Sequence, residues 1–132
     1  KVRAHPPGTV IFPKTGGAIA TNKRRILTVP TAIDNNCMGL TPSPLVRSEW
    51  LYCVLTSLDL TQFQSGTSLP ALSQRVLDDI LIEVPPPDEQ ERIVAMVDEL
   101  MALCDQLDSE LETRSEVAAR FGRSVVNAVS AH

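Results

Sequence analysis

The sequence predicts an α+β protein: a small, mostly antiparallel sheet with one or two short helices, followed by a long C-terminal coiled-coil helix. Three observations carry this. Short apolar runs alternate with proline, glycine and asparagine turns through the first third of the chain, the pattern of hairpin-linked strands. Three prolines, Pro85 to Pro87, then interrupt the chain. Beyond them, one stripe of positions is almost wholly apolar and recurs in alternating steps of four and three.

Taken in order, Pro6-Pro7-Gly8 is a turn, and Thr9 to Phe12 reads as a buried strand. Pro13-Lys14-Thr15-Gly16-Gly17 is a second turn, and Ala18 to Ala20 a second strand. Thr21 to Arg25 is an exposed polar loop, and Ile26 to Val29 a third strand stopped by Pro30. Asn35-Asn36 marks a turn or bulge before a fourth strand, Cys37 to Leu40. Ser48 is expected to cap a helix running to about Leu58, burying Leu51, Val54, Leu55 and Leu58 beside Trp50. Gln62 to Thr67 is polar and holds a glycine, hence a loop; Ser73 to Leu77 suits a single helical turn; Ile80 to Val84 reads as a strand.

The long helix is expected from about Glu89 to Val129, with Asp88 as N-cap, Glu91 completing a capping box, and acidic residues on the positive helix end. Its stripe is Ile93, Val97, Leu100, Cys104, Leu107, Leu111, Arg114, Ala118, Phe121, Val125 and Ala128; only Arg114 is not apolar. Steps averaging 3.5 residues are the period of a coiled-coil seam. Such a seam asks for a second helix alongside it, so homodimerisation is expected. The competing account is an ordinary amphipathic helix folding back on its own domain, but the 87 residues upstream are too few to cover it. The chain therefore divides into a globular part, 1–87, and a helix, 88–132.

At 132 residues and 43% hydrophobic, the chain can build one globular core plus an appendage. No run of apolar residues is long enough to span a membrane, and Lys1 and Arg3 lead into proline and glycine, unlike a leader peptide. Without an initiator methionine, it reads as a piece of something longer. Cys37, Cys53 and Cys104 are odd in number and lack metal-ligand spacing; Cys53 and Cys104 fall on helical faces as small buried residues. A reducing, cytoplasmic setting fits them best. The net charge of −4 hides an asymmetry: residues 1–47 hold seven basic groups against Asp34 alone, and the remainder holds fifteen acidic groups against five basic. One end suits phosphates, the other a protein partner.

Enzyme signatures are mostly absent. The stretch from Thr15 to Lys23 lacks phosphate-loop spacing, there is no nucleophile elbow, and His5 and His132 lie near opposite termini. No catalytic residue, cofactor or metal is assigned. The stronger candidate is a DNA surface: Lys14 on one turn, Thr21, Asn22, Lys23, Arg24 and Arg25 on the polar loop, and Gln64 and Thr67 on the second loop. Long basic arms suit phosphates, while amides reach base edges. Stacking aromatics are scarce, which favours duplex over single-stranded nucleic acid.

The junction from Leu69 to Val94 resembles the end of a target-recognition domain in the specificity subunit of type I restriction–modification enzymes. Its prolines Pro85 to Pro87, the pair Glu89-Gln90 and the pair Ile93-Val94 follow that family's passage into a long conserved-region helix. The segment from Pro7 to Lys23 is similar to the family's glycine-turn, strand and lysine-glycine segment, and Gln64 to Thr67 to its glycine-threonine loop. The resemblance implies a non-catalytic subunit that reads half of a bipartite duplex site. Its helix would be a spacer and a dock for methyltransferase subunits and, through them, restriction subunits. It also favours antiparallel helix pairing. Recognition domains of the family run to about 150 residues before the helix, so the N-terminal part of the domain is expected to be lacking here. The alternative is a truncated specificity-subunit remnant acting only as a coiled-coil dimerisation and assembly element.

Overall fold

The computed structural model describes residues 3–131. Contacts divide the chain into two compact units, Lys1–Val94 and Ala95–His132. The first is built on a three-stranded antiparallel sheet of order β2-β1-β3, with β1 at Val10–Pro13, β2 at Arg25–Ile26 and β3 at Cys37–Leu40. In register, Val10 faces Ile26 on one side and Leu40 on the other. Val10 and Phe12 alternate inward and are buried, so β1 is the central strand in both pairing and core.

The core gathers Val10, Phe12 and Ile19 with Leu55, Leu60 and Leu72, and is flanked by Met38, Leu40, Tyr52 and Phe63. Leu55 comes from helix α1, Ser48–Ser57, which also buries Trp50. Leu51, Val54 and Leu58 are only half-buried. Ser48 does not cap this helix: it is the first helical residue, and Arg47 stands at the cap without a side-chain bond. A short helix α2, Gln74–Asp78, is capped by Ser73, whose hydroxyl accepts the Val76 N–H at 3.3 Å.

Two expected strands are not strands. Gly16–Thr21 is a 3₁₀ helix. Gly16 (φ +66°) turns the chain out of β1, the Thr21 hydroxyl donates back to Ala18 O at 2.6 Å, and Asn22 (φ 53°) ends the helix in the left-handed region. Ile19 is thereby driven into the core. Ile80 to Val84 has no regular secondary structure and pairs with no strand among the described residues, and Leu81 is 97% exposed. Of the third expected strand only Ile26 lies in β2, although Leu27 still donates to Thr9 O at 2.9 Å. The second polar loop, expected from Gln62, begins only at Gln64: Gln62 and Phe63 close a 3₁₀ turn, Leu60–Phe63, capped by Asp59, whose carboxylate accepts Thr61 N–H at 3.0 Å.

Helix α3, Pro87–Ser130, has 44 residues, which at ~1.5 Å each makes it about 66 Å long. It starts two positions earlier than expected. Pro87 takes the first helical place, where a missing N–H costs nothing and the fixed φ suits a helix, and Asp88 sits inside the first turn instead of capping it. Pro86 O accepts the N–H groups of Glu89 and Gln90, both at 3.0 Å.

In the second unit every described residue from Asp98 onward is exposed. Along the stripe, Leu107 is 59% exposed and Phe121 72%. Cys104, expected to be buried, is exposed within this chain, as a seam residue without a facing helix must be. No helix among the described residues is long and apolar enough to cross a membrane.

Candidate nucleic-acid interface

The residues proposed for DNA contact come from three segments: Lys14 directly after β1, the basic turn Thr21 to Arg25 that leads into β2, and the loop of Gln64 and Thr67. Lys14 leaves β1 with its N–H bonded to Asn36 O at 2.8 Å and its carbonyl accepting Leu72 N–H at 2.8 Å. That second bond carries the chain into the loop holding Gln64 and Thr67. Ser65 and Ala71 exchange both main-chain bonds at 2.9 Å, and Gly16 donates to Pro70 O at 2.7 Å. Gly66 (φ +93°) makes the tight turn between them; a side chain there would meet Leu69 O at 2.9 Å. Lys14 and the second polar loop are thus laced together through backbone, with Gln64 and Thr67 exposed.

The basic turn, Thr21 to Arg25, is the other half. Asn22 is exposed, yet its side-chain amide donates to Thr56 O at 3.0 Å. Arg24 departs from the expectation of a solvent-facing phosphate contact. It is 7% exposed, lies over the Phe12 ring at 5.5 Å, and donates from Nε to Leu55 O at 3.3 Å and from Nη1 to Lys23 O at 2.9 Å. The reason is electrostatic: Leu55 and Thr56 present carbonyls at the C-terminal end of α1, the negative end of the helix, where a cation and an amide donor are both favoured. Burial pushes the Arg24 pKa below its ordinary value, with Tyr52 acting the other way. Lys23 and Arg25 remain exposed. Neither they nor Lys14 forms an ion pair; the two among the described residues, Arg47–Glu91 and Arg92–Glu89, lie elsewhere.

With Pro13, Lys23, Arg24 and Arg25, Cys37 lines a cavity of about 180 Å³. Its thiol pKa is pushed up first by burial and then by Asp34, with Lys14 opposing. Asp34 is engaged in its own turn, accepting the Asn36 N–H at 2.9 Å. Neither Cys37 nor Tyr52 is marked by its sequence surroundings, because each reaches the site only through strand or helix packing. The arrangement offers donors and positive charge but no nucleophile–base pair, and no group of three His, Cys, Asp or Glu among the described residues could hold a metal. Its chemistry is recognition of anions and hydrogen-bond acceptors.

The helix-pairing residues Val97, Leu100, Cys104, Leu107, Leu111, Arg114, Ala118, Phe121 and Val125 all lie on α3 within the second unit. Ile93 belongs to the first unit and is half-buried.

Comparison with known proteins places this geometry. A family model described as the type I restriction modification DNA specificity domain matches residues 6–114. Over 84 residues the chain is 27% identical to the type I restriction enzyme EcoDI specificity subunit of Escherichia coli, covering 62% of this chain and 19% of that protein. A chain in a solved structure concerned with complex assembly and conformational transition of the type I R-M system superposes with a TM-score of 0.71 at 23% identity. That match covers 86% of this chain and 28% of the other, and the likeness is one of fold. The chain thus spans about a fifth of the curated relative it matches. With the family model running over most of its length, this chain belongs to the type I restriction modification DNA specificity domain family.

Proposed function

We propose that the chain is a non-catalytic DNA-reading part of a type I restriction–modification system. Residues 1–87 form part of a target-recognition domain that reads half of a bipartite duplex site. Residues 88–132 form the helix that spaces two such domains and docks methyltransferase subunits, which in turn bring restriction subunits. The observation that carries this reading is the joining of two features in a chain of this family: unpaired basic turns beside β1, and a 44-residue helix with an exposed apolar seam. Lys14, Lys23 and Arg25 are the phosphate contacts in this account. Gln64, Thr67 and the remaining hydrogen-bonding capacity of Asn22 and Thr21 face the bases. Arg24 holds the turn in place.

The seam takes the helix of a second copy, in antiparallel sense. Charge along α3 supports that sense. From Asp88 to Glu112 nine carboxylates accompany Arg92 alone, whereas from Thr113 onward Arg114, Arg120 and Arg123 accompany Glu116 alone. Antiparallel pairing sets the basic end of each helix against the acidic end of the other; parallel pairing sets like against like.

A second reading, a truncated remnant acting only in assembly, draws support from one observation. Arg24 and Asn22 spend donors on Leu55 and Thr56, which thins the basic turn as a reading surface. Fluorescence anisotropy of labelled duplexes separates the two, using this chain, the methyltransferase subunit, and both together. The DNA-reading account expects sequence-selective binding by the mixture that neither component shows alone. Equal binding by the methyltransferase subunit with and without the chain contradicts it.

A further inference from the structure

Three cations meet at one cleft without a counter-ion. Lys23, Arg24 and Arg25 share the cavity of about 180 Å³ with Phe12 and Cys37, and Arg24 and Arg25 continue into a second cavity of about 340 Å³ beside Tyr52. Arg24 is the informative member. Two of its three nitrogens are satisfied by Leu55 O and Lys23 O, but Nη2 is shielded from water and has no hydrogen-bond partner. No carboxylate pairs with any of the three among the described residues. A guanidinium withdrawn from water and left with an unused N–H calls for an acceptor, and a charged one above all.

We infer that this cleft seats a single phosphate group, supplied by the backbone of duplex DNA. This rests on the DNA-reading function proposed above and names the place where the backbone is gripped. One non-bridging phosphate oxygen supplies what Arg24 Nη2 lacks, while the other accepts from Arg25 and Lys23 on the exposed rim. Contact with Nη2 needs a shift of neighbouring side chains, and the long, exposed arms of Lys23 and Arg25 allow one. Cys37 does not oppose the anion: burial and Asp34 hold its thiol neutral, with its S–H engaged by the Asp34 carboxylate and not offered to the cleft. A cationic guest is repelled by three like charges, and an apolar guest leaves Nη2 unpaired. The Phe12 ring beneath Arg24 and the α1 carbonyls beside it hold the guanidinium ready, so little ordering is needed on binding.

The test is a titration of the whole isotope-labelled chain with inorganic phosphate, at ionic strength held constant with chloride, read at the Arg24 side-chain Nε–H and the Cys37 amide. Saturable shifts of both are expected, with affinity at least tenfold lower in Arg25→Ala and in Lys23→Ala. Both changes lie at exposed positions, which avoids the folding risk of altering Arg24 itself. Duplex DNA added with the methyltransferase subunit should displace the phosphate, and alanine at Lys23 and Arg25 together should lower the salt slope of duplex binding by about 0.9. If phosphate shifts neither reporter while the complex still binds duplex, the cleft is wrong and the DNA reading survives. If phosphate saturates the cleft but duplex bound by the complex does not displace it, the seat belongs to a free anion and its assignment to the DNA backbone is overturned. If the complex binds no duplex while phosphate still saturates Arg24, the DNA reading fails and only the anion seat remains.

Discussion

The side-chain oxygen of Gln90, in the first turn of α3, accepts the main-chain N–H of Arg47 at 2.8 Å, across 43 positions of sequence. The same amide donates to Leu45 O at 2.9 Å and to Pro85 O at 2.8 Å, and Gln90 is fully buried. Arg47 also reaches Glu91 at 3.3 Å, an exposed pair that adds little. One amide thus ties the segment before α1, the proline run and the start of the long helix into a single fixed junction. Glutamine suits this place because it supplies an acceptor and two donors on one planar group.

Gln90→Leu should be costly although it fills similar space with apolar atoms. It leaves Arg47 N–H and two carbonyls without their part-buried partner, and each of them that water does not reach costs ~1–3 kcal/mol. Gln90→Glu keeps the acceptor but loses both donors, and should also destabilise. Urea denaturation followed on the first unit checks both; a midpoint unchanged in Gln90→Leu would show that water replaces the amide.

The exposed seam predicts a dimer for the chain in the absence of a larger partner. Burying each large aliphatic side chain contributes ~1.5–3 kcal/mol, and Leu100, Leu107, Leu111, Phe121 and Val125 are all more than 40% exposed. Sedimentation at tens of micromolar should show two copies, and Leu107→Glu should shift the protein to monomer. A wild-type monomer at that concentration contradicts the seam account.

Arg114 should set register instead of adding stability. A charge on a seam disfavours pairing but rejects misaligned partners more strongly. Arg114→Leu is expected to raise the melting temperature and to yield mixed registers or higher oligomers by light scattering. A lower melting temperature would mean that Arg114 is paired with a carboxylate of the facing helix.

Acid should loosen the turn at Leu60–Phe63 before it touches the core. Bonds from Thr61, with Gln62 helping, hold the Asp59 carboxyl below its ordinary value. A carboxyl depressed in the folded state contributes stability that is present above its unfolded pKa and lost as pH falls through the folded one. Asp59→Asn should therefore flatten the pH dependence of this turn's amide exchange as pH falls through and below the ordinary carboxylate range. An unchanged profile in that variant would assign the acid sensitivity to another group.

Much of the architecture was legible because its signals are local. The Pro85–Pro87 stop, the four-three stripe and the β1 and β3 segments each declare themselves within a few residues. What escaped depends on neighbours. Ala18-Ile19-Ala20 has strand-like composition, but Gly16 and Asn22 close it into a 3₁₀ helix that buries Ile19. Ile80 to Val84 has the β-branched run of a strand and finds no ladder to join among the described residues. In the candidate site, the exposure of Lys23 and Arg25 follows from a polar turn, but the inward course of Arg24 does not. It requires the end of α1 to lie 31 positions away in sequence and next door in space. Gln90 belonged to a recognisable pair, yet its role as an anchor is visible only once Leu45 and Arg47 are placed beside it.

The salt dependence of duplex binding by the chain assembled with its methyltransferase subunit tests the central claim most directly. With Lys14 neutralising one phosphate, and Lys23 and Arg25 sharing the one seated at Arg24, this chain should contribute a slope of about −1.8 to log affinity against log salt, at ~0.9 per phosphate. Alanine at Lys23 and Arg25 together should reduce the slope by ~0.9 and weaken all sequences alike, whereas Gln64→Ala should change which sequence is preferred. If alanine at all three basic positions leaves affinity and slope unchanged, the chain does not hold DNA through these turns, and the assembly-only reading takes precedence.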